Sequence, residues 1–388
     1  HWLLDPDVTF LNHGSFGACP RPVLAEQQRL RTQLERQPVA FFLRDHEPLM
    51  DRARALLGDF LGASPSDLVF LANATTAVNA VLSSVDLRPG DQVLRTDHVY
   101  NACGNALDVV TRARGAEVVT AHLPVPVEGP DQVVERIIAA VTDRTRLALV
   151  DHVTSTTALV LPIERIVDEL KRRGVDTLVD GAHAPGLLPL DLEAIGAAWY
   201  TGNCHKWICA PKGAAFLHVH QEQQEQMRAV VTSHAENAGR DDRPLLHQRF
   251  DWTGTHDPTP FLSVPAALEF MATLAEGGWP QVMADNRSLA LAGLEILQEA
   301  LGLEGVAPLS MLASMATVRL PVKLPNLAPS RSPLVHPLQD ELLRAFRIEV
   351  PLFPSPTDPN EVMLRISAQR YNQLEDYRRL AQALSELI

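Results

Sequence analysis

Thr177-Leu178-Val179-Asp180-Gly181-Ala182-His183 is the stretch on which the fold turns. Residues suited to a strand run without polar alternation into one aspartate, and then into a small-residue turn. A strand that is apolar on both sides has both faces covered, which places it in a parallel sheet flanked by helices. The same pattern stands on either side, at 147–151 and 199–202. Further out lie strand candidates at 68–71, 92–95, 117–121 and 215–219. Helical patterns at 131–141 and 163–173 separate some of them, and two more, at 22–37 and 48–61, precede them all. This order predicts an α/β fold with a mostly parallel, seven-stranded sheet.

The character changes after Pro260. Helices are expected at 261–275 and 279–300, then a strand at 316–320. Prolines at 321, 325, 329, 333 and 337 predict a polyproline-like loop, because proline cannot sit inside a helix. A helix at 338–346 follows, then strands at 348–352 and 362–367. A last helix starts with Asn372 as N-cap and Glu375 three residues on. Three parts are expected: an N-terminal segment, 1–20, that packs with the small domain; a large domain, 21–258; and a smaller α+β C-terminal domain, 259–388.

Of 388 residues, 46% are hydrophobic and 21% charged, which suits a folded chain with a large core. The net charge of -13 argues against nucleic acid as a partner, since phosphates demand a basic surface. No apolar run approaches the ~20 residues that span a bilayer, so no membrane partner is expected. The four cysteines, Cys19, Cys103, Cys204 and Cys209, match no disulfide framework. Cys204, His205 and Cys209 lack both the C-x-x-C spacing and a second ligand pair, so no metal site is expected there. Reduced thiols and a start unlike a signal peptide predict a cytoplasmic protein.

In open parallel sheets, ligands bind at the carboxyl ends of the strands. Five groups stand just after predicted strands. Asn73-Ala74-Thr75-Thr76 opens a helix whose free N–H groups suit a phosphate, although an ordinary helix cap has the same residues. Asp97-His98-Val99-Tyr100-Asn101 offers a ring to cover one face of a flat cofactor. Asp151-His152-Val153-Thr154-Ser155 offers hydroxyls, and is equally a turn rich in side-chain caps. The fourth group is Asp180 itself. An aspartate ending a hydrophobic strand is costly unless paired, and a pyridinium nitrogen is such a partner.

The fifth group is Thr201-Gly202-Asn203-Cys204-His205-Lys206-Trp207. Lys206 follows Asp180 by 26 residues, one strand later, and so can reach the same site. Burial and nearby cations lower a lysine toward the neutral amine that forms a Schiff base. Lys212 sits between Pro211 and Gly213, in a turn leading to the next strand, and is expected to face solvent. Gly14-Ser15-Phe16-Gly17 lacks G-x-G-x-x-G spacing and a strand-turn-helix frame, so it is not a dinucleotide loop.

The run from Asn73-Ala74-Thr75-Thr76 through Asp180-Gly181-Ala182-His183 to His205-Lys206 resembles the class V aminotransferase family of fold-type I pyridoxal phosphate (PLP) enzymes. Phe10-Leu11-Asn12-His13-Gly14-Ser15-Phe16-Gly17, Asp251-Trp252-Thr253-Gly254-Thr255-His256-Asp257, Arg365-Ile366-Ser367 and Tyr371-Asn372 resemble its isopenicillin N epimerase-like branch. The likeness implies that Lys206 carries PLP and removes the substrate α-proton, while Asp180 holds the ring nitrogen. It implies phosphate contacts from Ala74, Thr75, Thr76, Asn203 and His205, with Thr255 reaching the phosphate of a neighbouring subunit in a homodimer. His98 or Tyr100 would stack on the ring, and the motif does not decide between them. Ser155 or Thr154, with His183, would meet the ring hydroxyl. Arg365 would grip the α-carboxylate of an amino-acid substrate, and Asn12 and Arg44 would line its pocket. The branch implies action at the α-carbon of an amino acid or peptide-like substrate, as in epimerases, with C–S lyase or aminotransferase chemistry as alternatives. Desulfurases of the family need a cysteine shortly before the arginine motif; 353–363 contains none, so persulfide chemistry is not expected.

Overall fold

The computed structural model describes residues 1–237, 239–321, 330, 332 and 335–388. Its centre is a seven-stranded sheet built from β1 (Leu68–Leu71), β2 (Gln92–Thr96), β3 (Glu117–Ala121), β4 (Thr145–Asp151), β5 (Asp176–Asp180), β6 (Trp199–Asn203) and β7 (Ala215–Val219). The strands lie in the order β1-β7-β6-β5-β4-β2-β3. Only β7 runs against its neighbours; the β3-β2-β4-β5-β6 ladder is parallel throughout.

Side-chain alternation explains why the strands read as continuous apolar runs. On one face Leu147, Leu149, Leu178 and Trp199 pack against Val78, Val81 and Leu107 from the helices Ala74–Ser84 and Asn101–Arg114. On the other, Ala148, Val150, Val179 and Tyr200 pack with Ile137, Ile166 and Leu170 from Pro130–Ala139 and Ile163–Lys171. Both faces are therefore dry, and every residue of β5 after Asp176 is buried.

A second core gathers Leu11, Leu294, Leu297, Leu342, Ile366, Tyr377 and Leu384. Its sheet has β8 (Met315–Arg319) and β9 (Leu352–Pro354) on either side of β10 (Val362–Ser367), all antiparallel. The N-terminal segment joins this core: Thr9–Phe10 pairs in parallel with Ile348–Glu349, and Ser367 N donates to Leu11 O at 3.0 Å.

Three expectations need correction. The helix expected at 261–275 is two, Thr259–Leu262 and Val264–Ala272. The break falls at Ser263; Pro265, two residues on, can donate no helical hydrogen bond. The strand expected at 348–352 also divides, because Pro351 cannot donate to a ladder; Ile348–Glu349 and Leu352–Pro354 join different sheets. The last helix, Leu374–Leu387, is capped by Gln373 rather than Asn372. Asn372 is drawn away by the fold: its side chain accepts from Gln369 N and donates to Phe10 O. The expected polyproline-like loop at 321–337 lies mostly outside the described residues. Pro337 opens the helix Pro337–Phe346, where its missing N–H costs nothing. Among the described residues no helix is long and apolar enough to cross a membrane.

Candidate active site

The carboxyl ends of β4, β5 and β6 lie side by side, with Asp151 paired to Asp180 and Asp180 to Thr201. A cavity of about 370 Å³ opens there, lined among others by Ser15, Phe16, Thr75, Tyr100, Asp151, Ser155, Asp180, His183, Asn203, His205 and Lys206. The ends of five strands and the N-terminal segment thus converge on one space, as the parallel order dictates.

Asp180 is 2% exposed and has no arginine or lysine ion pair among the described residues. Its Oδ2 accepts from Cys103 Sγ at 3.2 Å and its Oδ1 from Ala182 N at 3.0 Å. Burial raises its pKa, against the pull of those bonds. Asp151, beside it, is raised well above the usual carboxylate range by burial and by the Asp180 charge. Its Oδ2 is buried without a partner. The turn after Asp180 must begin with glycine: a Cβ on Gly181 would lie 2.4 Å from the Tyr200 ring.

Lys206 follows β6, and its Nζ lies 3.1 Å from His183 Nε2. Burial, then the Arg365 charge, lowers the Lys206 pKa to about 7. His183 is held neutral by burial and by Lys206, and its Nδ1 is an orphan. The lysine loop is anchored from the N-terminal segment. His13 Nε2 donates to Lys206 O at 3.0 Å, and Gly17, at φ 69°, packs so closely that a Cβ would lie 2.1 Å from His205 O. Lys212 is outside the cavity, exposed, with Nζ donating to Gly17 O at 3.1 Å. That agrees with the turn reading.

The helix Ala74–Ser84 aims its N-terminus at the cavity. Asn73 caps it, with Oδ1 accepting from Thr76 N at 2.8 Å and Thr76 Oγ1 at 3.0 Å. Thr76 is therefore occupied by the cap and does not line the cavity, whereas Ala74 and Thr75 do. Ala74 N donates to Asn203 Oδ1 at 2.9 Å, and His205 Nδ1 bonds Ala214 O at 2.9 Å, which leaves Nε2 free to turn inward.

Arg365, on β10, is 1% exposed and has no carboxylate partner among the described residues. It donates through Nη1 to Ser155 O and through Nη2 to Ser15 Oγ at 3.1 Å, and lies 5.0 Å over the Phe353 ring. Burial pulls its pKa down to about 10. Ser15 and Ser155 both line the cavity, so this charge stands directly behind its wall. Asn12 is buried behind Ser15, whose hydroxyl it accepts, and itself donates to Glu349 Oε1 at 3.2 Å.

Other expected residues fall elsewhere. His98 is buried, bonds Thr157 Oγ1 at 2.8 Å and does not line the cavity; Tyr100 does. Thr154 is turned to Thr157 at 2.7 Å, while Ser155 lines the wall. Arg44 and Thr255 are exposed and outside this cavity. They flank one aromatic contact, Phe42 with Trp252, at 5.5 Å. Sequence reasoning gave no site role to Asp151, Ser15, Phe16 or Cys103. The repeated ending of β4 and β5 in aspartate was a usable signal for Asp151; nothing local marked Cys103.

The donor set fits PLP. A buried carboxylate lacking a cation suits a protonated ring nitrogen, a helix N-terminus suits a phosphate, and an amine lowered to about 7 suits an aldehyde. The comparisons with known proteins agree. The model of the family "Aminotransferase class-V" matches residues 21–324. An isopenicillin N epimerase of Amycolatopsis lactamdurans is 39% identical over 99% of this chain and 96% of its own length. A probable chloroplastic L-cysteine desulfhydrase of Arabidopsis thaliana is 33% identical over 99% of this chain and 84% of its own length. Among solved structures, a cystine C–S lyase in complex with cysteine persulfide has a TM-score of 0.82 at 20% identity, covering 98% of both chains. A mutant C-DES with glycine covalently linked to the PLP cofactor has the same TM-score of 0.82 at 19% identity. The fold is that of fold-type I, and the chain belongs to the class V aminotransferase family of PLP-dependent enzymes.

Proposed function

We propose that this enzyme acts at the α-carbon of an amino acid or peptide-like substrate, as an epimerase of the isopenicillin N epimerase kind. One observation carries the reading: a lysine amine poised near neutrality shares a cavity of about 370 Å³ with Asp180, in front of a buried guanidinium that lacks a carboxylate among the described residues. Bound PLP supplies an electron sink for the pair left behind when a Cα–H bond breaks. Lys206 Nζ takes that proton, and His183 Nε2 keeps the amine oriented. Asp180 holds the ring nitrogen charged. Ala74, Thr75, Asn203 and His205 bind the phosphate, and Ser155 and His183 meet the ring hydroxyl. Tyr100 covers the ring, since it reaches the cavity and His98 does not. Arg365 binds the substrate carboxylate, because a planar guanidinium matches it in bidentate fashion. Asn12 positions Ser15 beside that arginine.

Thr255 and Arg44 fit the reading only in a homodimer with shared active sites, where each serves the partner's phosphate and substrate. Their exposure, and the Phe42–Trp252 contact that brings their two segments together, support it. The four free cysteines fit a cytoplasmic enzyme.

A second reading, a C–S lyase, is supported by the likeness to an L-cysteine desulfhydrase. Burial raises the pKa of all four thiols, to about 12 for Cys19 and further for the others, so no cysteine is poised as a nucleophile. Cleavage of a β-substituent would then be direct elimination. An aminotransferase would require a keto-acid acceptor. The deciding experiment incubates purified holoenzyme with amino acids and small peptides in deuterated water. Deuterium at Cα with inversion supports the epimerase; released thiol and pyruvate supports the lyase; keto-acid-dependent amino transfer supports the third outcome. A holoenzyme that exchanges no Cα proton across the panel refutes action at that carbon.

A further inference from the structure

The edge of the central sheet opposite the cavity holds a second cluster of ligand-type side chains. Asp67 stands just before β1, His218 lies on β7 in register with Leu68, and Glu193 lies on the short helix Leu192–Ile195. One ligand atom from each falls within 4.8 Å of the other two. His218 is 2% exposed, and neither ring nitrogen has a hydrogen-bond partner. Its Nε2 points toward Glu193, 4.0 Å from Oε1. Asp67 is buried too, and its orientation is fixed because Oδ1 accepts from Ser66 Oγ at 2.9 Å and Gln224 Nε2 at 2.8 Å. Glu193 Oε1 is steadied by Ser64 N at 3.2 Å. Among the described residues neither carboxylate forms an ion pair with arginine or lysine.

A buried imidazole with both nitrogens idle, facing two uncompensated carboxylates, is an arrangement that lacks a positive centre. A cation between the three atoms would satisfy a ring nitrogen and both carboxylates together. We propose that Asp67, Glu193 and His218 bind a zinc ion, with water filling the remaining position at the exposed Glu193 rim. The donor set decides the metal class. Imidazole nitrogen with carboxylate oxygen suits Zn²⁺, while Mg²⁺ and Ca²⁺ prefer all-oxygen shells. Bonds of about 2.0–2.2 Å demand closer ligand spacing than the present one: exposed Glu193 can move in from the rim, and the His218 ring must turn toward Asp67 to close the rest. The ion would brace three segments: the entry to β1, the helix Leu192–Ile195 and β7. It lies at the far end of these strands from Lys206, so the role is structural.

The test uses the PLP-loaded enzyme after chelator dialysis, titrated with ZnCl₂ by calorimetry and with CoCl₂ by visible spectroscopy. One Zn²⁺ per chain, a rise in melting temperature, and a Co²⁺ spectrum of tetrahedral intensity are expected. MgCl₂ and CaCl₂ should leave the melting temperature unchanged. His218→Gln should abolish the site and leave the visible band of the bound cofactor untouched. Glu193→Gln, at an exposed position that does not endanger folding, should weaken zinc about tenfold or more. Absence of zinc binding to wild type overturns the proposal. So does zinc binding to Glu193→Gln with wild-type affinity, whether or not His218→Gln folds.

Discussion

The two walls of the cavity handle buried charge differently. The wall at the strand ends ties its groups down by hydrogen bonds: Asp180 accepts two, Lys206 leans on His183, and Asn203 holds Ala74 N. Behind the wall of Ser15 and Ser155 stands Arg365 of β10, fully buried, with neutral oxygens and an aromatic ring as company but no counter-charge among the described residues. Removing a charge from water costs several kcal/mol unless a partner restores the loss. The first wall is thus organised before a substrate arrives, and the second is completed by one. In the proposed reaction the former does chemistry and the latter selects a carboxylate.

The largest effects should come from breaking the chemical wall. Lys206→Ala removes both the covalent anchor and the base. The visible band of lysine-bound cofactor should vanish from purified protein, and Cα exchange should fall to the buffer rate. A variant that keeps the band places the anchor elsewhere. Asp180→Asn keeps the shape but loses the charge facing the ring nitrogen. Removing one such electrostatic stabiliser costs ~10²–10³ in kcat, so exchange should slow by that much while PLP stays bound. An unchanged kcat would mean that the ring nitrogen is not held by Asp180.

Breaking the selecting wall should cost less and show in a different constant. Arg365→Lys keeps a positive charge but loses the planar fork. A loss of about 2 kcal/mol in kcat/KM, carried mainly by KM, follows from the weaker carboxylate grip. A pure kcat effect would contradict the assignment. The two walls also communicate. Burial first, and the Arg365 charge second, hold the Lys206 pKa at about 7. The neutral amine is the form that captures PLP, so apoenzyme should load cofactor faster as pH rises to about 7 and no faster above it. Arg365→Met removes the second cause, and the break should move to higher pH. A break that stays in place shows that the arginine field does not reach Lys206.

The wall most visible in the sequence was the first. β4, β5 and β6 read directly because dry sheets erase polar alternation, and Asp180 and Lys206 stood out against apolar neighbours. The lysine rivalry was settled by turn residues: Pro211 and Gly213 do set Lys212 at the surface, on Gly17 O. What stayed hidden depends on contacts far apart in the chain. Cys103 meets Asp180 across 77 residues and Ser15 meets Arg365 across 350, and no local spacing encodes either. Caps and breaks failed for the same reason. Asn372 is a good cap by type, but Gln369 and Phe10 claim its side chain, so the helix starts one residue later.

The smallest effect sharpens an ambiguity in the loop after β2, where His98 and Tyr100 are two residues apart and point to different places. His98 is a buried ring tied to Thr157, and Tyr100 is 46% exposed on the cavity wall. A ring that covers PLP contributes ~0.5–1.5 kcal/mol through its face. Tyr100→Ala should therefore weaken PLP binding to apoenzyme by roughly three- to tenfold, and Tyr100→Phe should restore it, because the face and not the hydroxyl does the covering. His98→Asn should lower the melting temperature instead, since it disturbs a buried bond, and leave PLP affinity near wild type. The reverse outcome, with affinity lost in His98→Asn and kept in Tyr100→Ala, would move the stacking role inward. It would also mean that the cofactor displaces the His98–Thr157 bond on entering.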